Sequence, residues 1–240
     1  VIRALLFDGI DPGATGGLAQ LRVEDDDSAR LPILRGIKLA PLPMRARDDG
    51  GHELDGVALS RALAEPDGWA AREAGLIRGR RIVVERPAFG GQARKPQDTF
   101  RQGATWGGCR NGAELALDGH HALPEFSVLD EARADSGWRA ELGLPPEADA
   151  DMRKRVNIDI AERFLADCRQ LPRGPVVDFY GLQLFVALDL AVALFGGLKV
   201  ARGYAGAIPG QYENRSGQAD ALLLALLGVR RWLGLGRAKR

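Results

Sequence analysis

Residues 3–10 read "RALLFDGI", a near-continuous apolar run, and "DPGATGG" follows at once. A run of this kind fits a strand buried on both faces. Such a strand needs a layer of structure on each side, which favours a sheet covered by helices over a small open one. The strand ends on Asp11. Asp-Pro-Gly is good turn chemistry, because Pro fixes φ and Gly permits the positive φ that many turns need. The same aspartate, at the C-terminal edge of a central strand, is also placed to hold a metal ion. The motif does not choose between these readings, so the rest of the chain must supply partners for Asp11 or fail to.

"GGLAQLRV" (16–23) and "PILRGIKLA" (32–40) read as two further strands, with "DDDS" (25–28) marking the hairpin between them. "RIVVE" (81–85) is a short buried strand ended by Pro87, and "EFSVLD" (125–130) is a fifth. Helices are expected over about 54–64, limited by Pro66, over 97–117 with an interruption at Gly107-Gly108, near 136–142, and over 149–168. A last helix is expected from Gln218 to Trp232, so dense in leucine that it must lie against a sheet. The expected architecture is α/β: a mixed five-stranded sheet, three antiparallel strands first and parallel strands after, flanked by helices. At 240 residues, with no internal repeat or low-complexity linker, one domain over 1–240 accounts for the chain.

The longest apolar segment, "VVDFYGLQLFVALDLAVALF" (176–195), carries Asp178, Gln183 and Asp189. A membrane span would bear these at considerable cost, so the segment is expected to be a buried or interface helix and no membrane partner is expected. Cys109 and Cys168 lie far apart without metal-ligand spacing, which fits a reduced, cytoplasmic protein. His52, His120 and His121 are too few and too badly spaced for a histidine-rich metal site.

Net charge is +1, but it is segregated. Arg72 to Arg110 holds nine basic residues against three acidic ones, and Asn111 to Asp151 holds ten acidic against two basic. A charge run is usually a solvated face. Basic blocks flanking carboxylates are more suggestive, because a polyanion must be drawn toward charges that would otherwise repel it.

Two carboxylates stand in contexts like that of Asp11. Glu85 ends "RIVVE", at the strand edge where open α/β sheets bind ligands. Asp220, in "SGQADALLLALLG", is expected in the first turn of the last helix, with Ser216 or Gly217 as cap. Each alone is also an ordinary turn or capping residue. Carboxylate oxygens suit hard divalent ions such as Mg²⁺ and Mn²⁺, and two such ions about 4 Å apart can activate water and stabilise the leaving oxygen in phosphodiester cleavage.

"GIDPGATGGLA", "VVERP" and "QADALLLA", in this order, together resemble the catalytic blocks of RuvC-type Holliday-junction resolvases of ribonuclease H-like fold. The bacteriophage and poxvirus-like branch is the nearest in flavour, through "GGQARKPQDTFRQGATWG" (90–107) and "SGWRAELGLPPEADADMRKRVNIDIAERFLA" (136–166). The resemblance touches most of residues 3–235. It implies a Mg²⁺-dependent homodimeric endonuclease, with Mn²⁺ able to substitute, that resolves four-way DNA junctions by paired symmetric nicks. Asp11, Glu85 and Asp220 match the family's acidic residues. Phe89 is similar to the aromatic residue that probes the junction centre, displaced by one position, and is equally an ordinary core Phe. Lys154 is similar to the basic residue that approaches the scissile phosphate, and is otherwise a solvated helix-face lysine. Arg94, Lys95, Arg101, Lys154 and Arg155 are the residues expected to hold DNA backbones.

The chain departs from the family twice. Where the family offers a fourth acidic or histidine ligand, this chain has Arg215, Ser216 and Gly217, and residues 173–212 read as an insertion. Two other functions share parts of the pattern. "DPGAT" also fits the phosphate loop of actin-like small-molecule kinases, although 240 residues is short for their two domains. A branched-DNA-binding protein that has lost a metal ligand would keep the same scaffold.

Overall fold

The computed structural model describes residues 2–13, 16–26, 29–48, 52–64, 77–86, 96–117, 125–128, 137–145, 149–170, 176–194 and 208–235. Strands β1 (Ile2–Asp11), β2 (Gly17–Asp26) and β3 (Ile33–Pro41) form the expected antiparallel meander. β4 (Met44–Ala46) and β5 (His52–Leu54) make a separate two-stranded ribbon. Helix α1 (Gly56–Ala64) follows, started by Asp55, whose carboxylate accepts from the Ala58 N–H at 2.9 Å. Then come β6 (Ile77–Arg86), α2 (Pro96–Leu117), β7 (Glu125–Val128), α3 (Gly137–Leu142) and α4 (Ala150–Gln170). Asp149 caps α4 in the same way, accepting from Met152 N–H at 2.7 Å. β8 (Val176–Phe179), β9 (Leu182–Leu194) and α5 (Ile208–Trp232) complete the chain.

The main sheet has seven strands in the order β7-β6-β1-β2-β3-β9-β8. β6 runs parallel to β1, β7 to β6 and β9 to β3, so the C-terminal ends of β1, β3, β6, β7 and β9 share one edge. All five expected strands form, and the α/β class with a mixed sheet flanked by helices stands, in a sheet of seven strands instead of five. β1 is covered on both faces, as its apolar run requires. Phe7 and Val83 pack toward α5 with Trp138, Ile158 and Phe164, while Ile10, Ile82 and Val84 pack toward α1 and α2 with Leu59, Leu63 and Cys109. Both cysteines are buried and free.

Three expectations are corrected. Residues 176–195 are not a helix: 176–194 supply β8 and β9, the sixth and seventh strands. Val177 and Phe179 are buried while Val176 and Asp178 are exposed, the period-2 alternation of a strand. Tyr180 and Gly181, at φ 49° and 79°, turn the chain, and Asp178 fixes the turn by accepting from Gly181 N–H at 2.7 Å. The polar residues that argued against a membrane span sit on the exposed side of this hairpin. No helix among the described residues is long and apolar enough to cross a membrane.

Second, α2 runs unbroken through Gly107-Gly108. A Cβ on Gly108 would lie 2.7 Å from Leu54 Cδ2, so this glycine serves the close approach of β5 to the helix. Third, α5 begins at Ile208, ten residues before the expected start, with Pro209 in its first turn where a missing N–H costs nothing. Ser216 and Gly217 therefore lie inside the helix, away from its N-cap position, and Asp220 lies in its middle.

What holds Asp220 over the sheet is the absence of two side chains. A Cβ on Gly9 would collide with the Ala221 carbonyl of α5, and one on Gly17 would collide with the Gly217 carbonyl. The backbones of Gly16 and Gly217 bridge directly. The helix therefore rests on the β1–β2 backbone on either side of position 220.

Candidate active site

Asp11 is the last residue of β1 and Glu85 the penultimate residue of β6, on the shared C-terminal edge. Residues 7, 9 and 11 of β1, like 83 and 85 of β6, alternate toward the layer that contains α5. The strand period therefore aims both carboxylates at the helix that carries Asp220. Asp11 and Glu85 are hydrogen-bonded to one another, and both feel the charge of Asp220 or impose theirs on it.

Each carboxylate is also held by one protein donor. The Gly13 N–H donates to Asp11 Oδ1 at 3.1 Å, closing the Asp-Pro-Gly turn on the aspartate's own side chain. The buried Trp138 indole donates from Nε1 to Glu85 Oε1 at 3.2 Å. Asn157 Nδ2 donates to Asp220 Oδ1, and Asn157 in turn accepts from the Arg139 guanidinium, which also donates to the Pro145 carbonyl at 2.9 Å. Both readings of "DPG" thus hold at once: it is a turn, and it presents a carboxylate at a strand edge.

The electrostatics separate these three residues from a structural carboxylate three positions earlier in β1. Asp8 is fully buried but paired, accepting from Arg80 Nε at 2.6 Å and Gln20 Nε2 at 2.7 Å. At Asp11, Glu85 and Asp220 the imbalance is negative. Burial pushes Asp11 up to about 6, against the Gly13 hydrogen bond, the Glu85 contact and the charge of Lys154. Burial and then the charge of Asp11 push Asp220 up to about 7, offset by Asn157, Arg139 and Lys154. Glu85 is raised well above the usual carboxylate range, by burial first and then by Asp11 and Asp220. The field reaches the far side of the sheet, where the Cys109 thiol is raised mainly by burial and further by Asp11.

Lys154, half-buried on α4, is close enough to lower both Asp11 and Asp220, which makes it part of this constellation. Arg155 is exposed on α4, and Arg101 is exposed on α2. Phe89, Arg94 and Lys95 lie outside the described residues. Gly217 is packed against β2 and has no side chain to offer as a ligand, and the side chains of Arg215 and Ser216 lie outside the described residues. Sequence reasoning missed Trp138, Arg139 and Asn157. All three lie in the 136–166 stretch, where a tryptophan and an asparagine on otherwise charged helices were the available signal.

Among the described residues no group of three or more His, Cys, Asp or Glu is placed so that it could hold a metal ion as it stands. The donor chemistry nonetheless fits a hard divalent cation: every converging ligand atom is a carboxylate oxygen, and the excess is negative. A cation there would offset the burial that raises all three groups and the repulsion that adds to it at Glu85 and Asp220.

No family model matches the chain, and no curated protein does. Among solved structures the chain is similar to Thermus thermophilus RuvC, with TM-score 0.45 and 13% identity over 98% of this chain and 99% of that one. T. thermophilus RuvC in complex with Holliday junction substrate gives 0.41 and 12% over the same shares. The Mn-soaked, inhibitor-bound human cytomegalovirus terminase nuclease domain gives 0.33 and 12%, over 94% of this chain and 82% of that one. Likenesses this distant carry no functional weight of their own.

Proposed function

We propose that this protein is a divalent-metal-dependent DNA endonuclease whose substrate is the four-way junction, acting as a cytoplasmic homodimer. The observation that carries the reading is the convergence of Asp11, Glu85 and Asp220, from two strands and one helix, into a site of unbalanced negative charge. Asp11 and Asp220 would hold one Mg²⁺ or Mn²⁺, and Glu85 with Asp11 a second. When bound, the cation supplies charge neutralisation at a phosphodiester and lowers the pKa of coordinated water.

The protein's own residues do the rest. Trp138 and Asn157 fix the rotamers of Glu85 and Asp220, so the ligand oxygens need not be ordered at the moment of binding. Lys154 places a positive charge beside the carboxylates, where a scissile phosphate would otherwise be repelled. Arg101, Arg155 and the basic 72–110 segment, Arg94 and Lys95 included, draw the backbones in, and Phe89 is assigned to the junction centre. Trp138→Phe, which keeps the ring but loses the donor, is expected to weaken cation binding about 10–100-fold. A Mn²⁺ titration followed by thermal shift reads this directly.

The deciding experiment incubates an end-labelled four-way junction, a fork and a linear duplex with protein and Mg²⁺ or Mn²⁺ and maps the nicks. Paired nicks symmetric about the branch are expected in the junction alone, since a two-fold dimer places two equivalent sites. Equal nicking of the duplex would leave a nuclease without junction selectivity. Junction binding without cleavage in either metal would leave the non-catalytic binding protein.

A further inference from the structure

On the α1–α2 side of the sheet, the β4–β5 ribbon leans on α2 and leaves an open groove of about 230 Å³. Arg45, Arg47 and Glu53 line it from the ribbon, and Phe100, Arg101 and Gly108 from the helix. Arg45, Arg47 and Arg101 against the single Glu53 give the lining a net positive charge. Phe100 is 76% exposed, the most exposed aromatic ring among the described residues. No core contact accounts for a phenylalanine so placed. The volume is below the roughly 300–1,000 Å³ of enclosed small-molecule pockets, and its walls are surface side chains, which suits a segment of a long ligand.

Its position is the second observation. The ribbon follows β3, whose C-terminal end lies on the carboxylate edge of the sheet, where Leu42 N–H bonds the Gly16 carbonyl at 3.1 Å. Arg101, Ala104, Thr105 and Gly108 follow one face of α2, about 10 Å from end to end at 1.5 Å per residue. At the near end Cys109 packs with Ile10 and Val84, the residues before Asp11 and Glu85. The groove therefore leads away from the carboxylate edge for the length of one to two nucleotides.

We infer that this groove binds one or two DNA nucleotides unpaired at the branch point, with a base stacked on Phe100 and the adjoining phosphates held by Arg101 and Arg47. A positively charged track beside an exposed aromatic ring is the chemistry of single-strand binding, because every base has a face to stack while the backbone supplies the charge. Within a duplex the base faces are already stacked on each other and cannot reach the ring. The inference rests on the DNA reading above but not on catalysis, so its test is run without metal.

Fluorescence anisotropy in EDTA compares a labelled single-stranded oligothymidine, the same strand with abasic sites, the duplex, and the RNA equivalent. Phe100→Ala is expected to weaken the oligothymidine about tenfold and leave the abasic strand unchanged, whereas Phe100→Trp retains binding. Arg47→Gln with Arg101→Gln weakens both strands and reduces the salt slope by about 1.4, at 0.7 per phosphate contact. Phe100 is exposed, so an unchanged melting temperature verifies that the variant is folded. Unchanged oligothymidine binding by Phe100→Ala overturns the proposal, as does an equal loss on the abasic strand. Tighter binding of RNA than DNA overturns DNA as the occupant. Unsubstituted protein that cleaves the junction but does not bind the oligothymidine removes the groove alone, and one that binds the oligothymidine but fails to cleave removes only the nuclease reading.

Discussion

Asp11→Asn, Glu85→Gln and Asp220→Asn are each expected to lower cleavage by at least about 10²–10³-fold, the scale on which preorganised groups stabilise transition-state charge, while junction binding persists. Each substitution keeps the size of the side chain and removes a ligand charge. Loss of activity should come without loss of fold, because each variant relieves repulsion within the cluster. Asp8→Asn is the contrasting control. It breaks the buried Arg80 ion pair, in which the side chains are 0% and 5% exposed, and one-sided removal of such a pair typically costs about 3–5 kcal/mol. Any activity lost there should accompany a lower melting temperature. Cleavage at the normal rate by any one of the three site variants would remove that residue from the active site.

The second large effect is on stability. The folded-state values of Asp11, at about 6, and Asp220, at about 7, stand above the ordinary 3.8, so the folded protein binds more protons than the unfolded chain between roughly pH 4 and 7. The stabilisation from holding those protons is fully present below the unfolded value and is lost as pH rises through the folded values. Without metal, the melting temperature should therefore fall from pH 5 to pH 8. Mn²⁺ or Mg²⁺ at pH 8 should restore it. Asp220→Asn should raise the metal-free stability at pH 8 by about 1–3 kcal/mol, since one pKa unit is worth about 1.4 kcal/mol and neighbouring charges relax when one is removed. At this chain length that is about 2–4 °C per kcal/mol. The same variant should lose most of the Mn²⁺-induced shift. Calorimetry across this pH range, with and without metal, checks both signs. A pH dependence unchanged in the Asp11→Asn, Glu85→Gln, Asp220→Asn triple variant would show that these groups do not titrate as a cluster.

The site was legible in sequence to the extent that local chemistry made it so. An apolar run long enough for a doubly covered strand, stopped by Asp-Pro-Gly, locates Asp11 at a strand end without any tertiary information. "RIVVE" before Arg-Pro does the same for Glu85. Residues 176–195 read as a helix in sequence because their polar residues, Asp178, Gln183 and Asp189, exclude a membrane span without saying what replaces it. The discriminating signal was the turn Tyr180-Gly181, two residues with positive φ between short alternating runs. Local apolar density does not separate a strand from a buried helix; the turn between the runs does.

Sequence alone determined the α/β class, the order of the first three strands, the strand-end positions of Asp11 and Glu85, and the helix that carries Asp220. These follow from periodicities of two and 3.6 residues and from turn residues, all of which act within a dozen positions along the chain. Only the tertiary structure decided that the three carboxylates come within electrostatic reach of one another. Glycines at 9 and 17 let α5 descend onto the β1–β2 backbone, and Trp138, Asn157 and Lys154 enter from positions that lie more than 60 residues from either Asp11 or Asp220. Those contacts bring together groups far apart in the chain, and their cost or benefit depends on burial and on the charges of neighbours, which no local pattern encodes. That is also why Asp8 and Asp11, three residues apart on one strand, differ so sharply: one meets an arginine across the sheet, and the other meets two carboxylates.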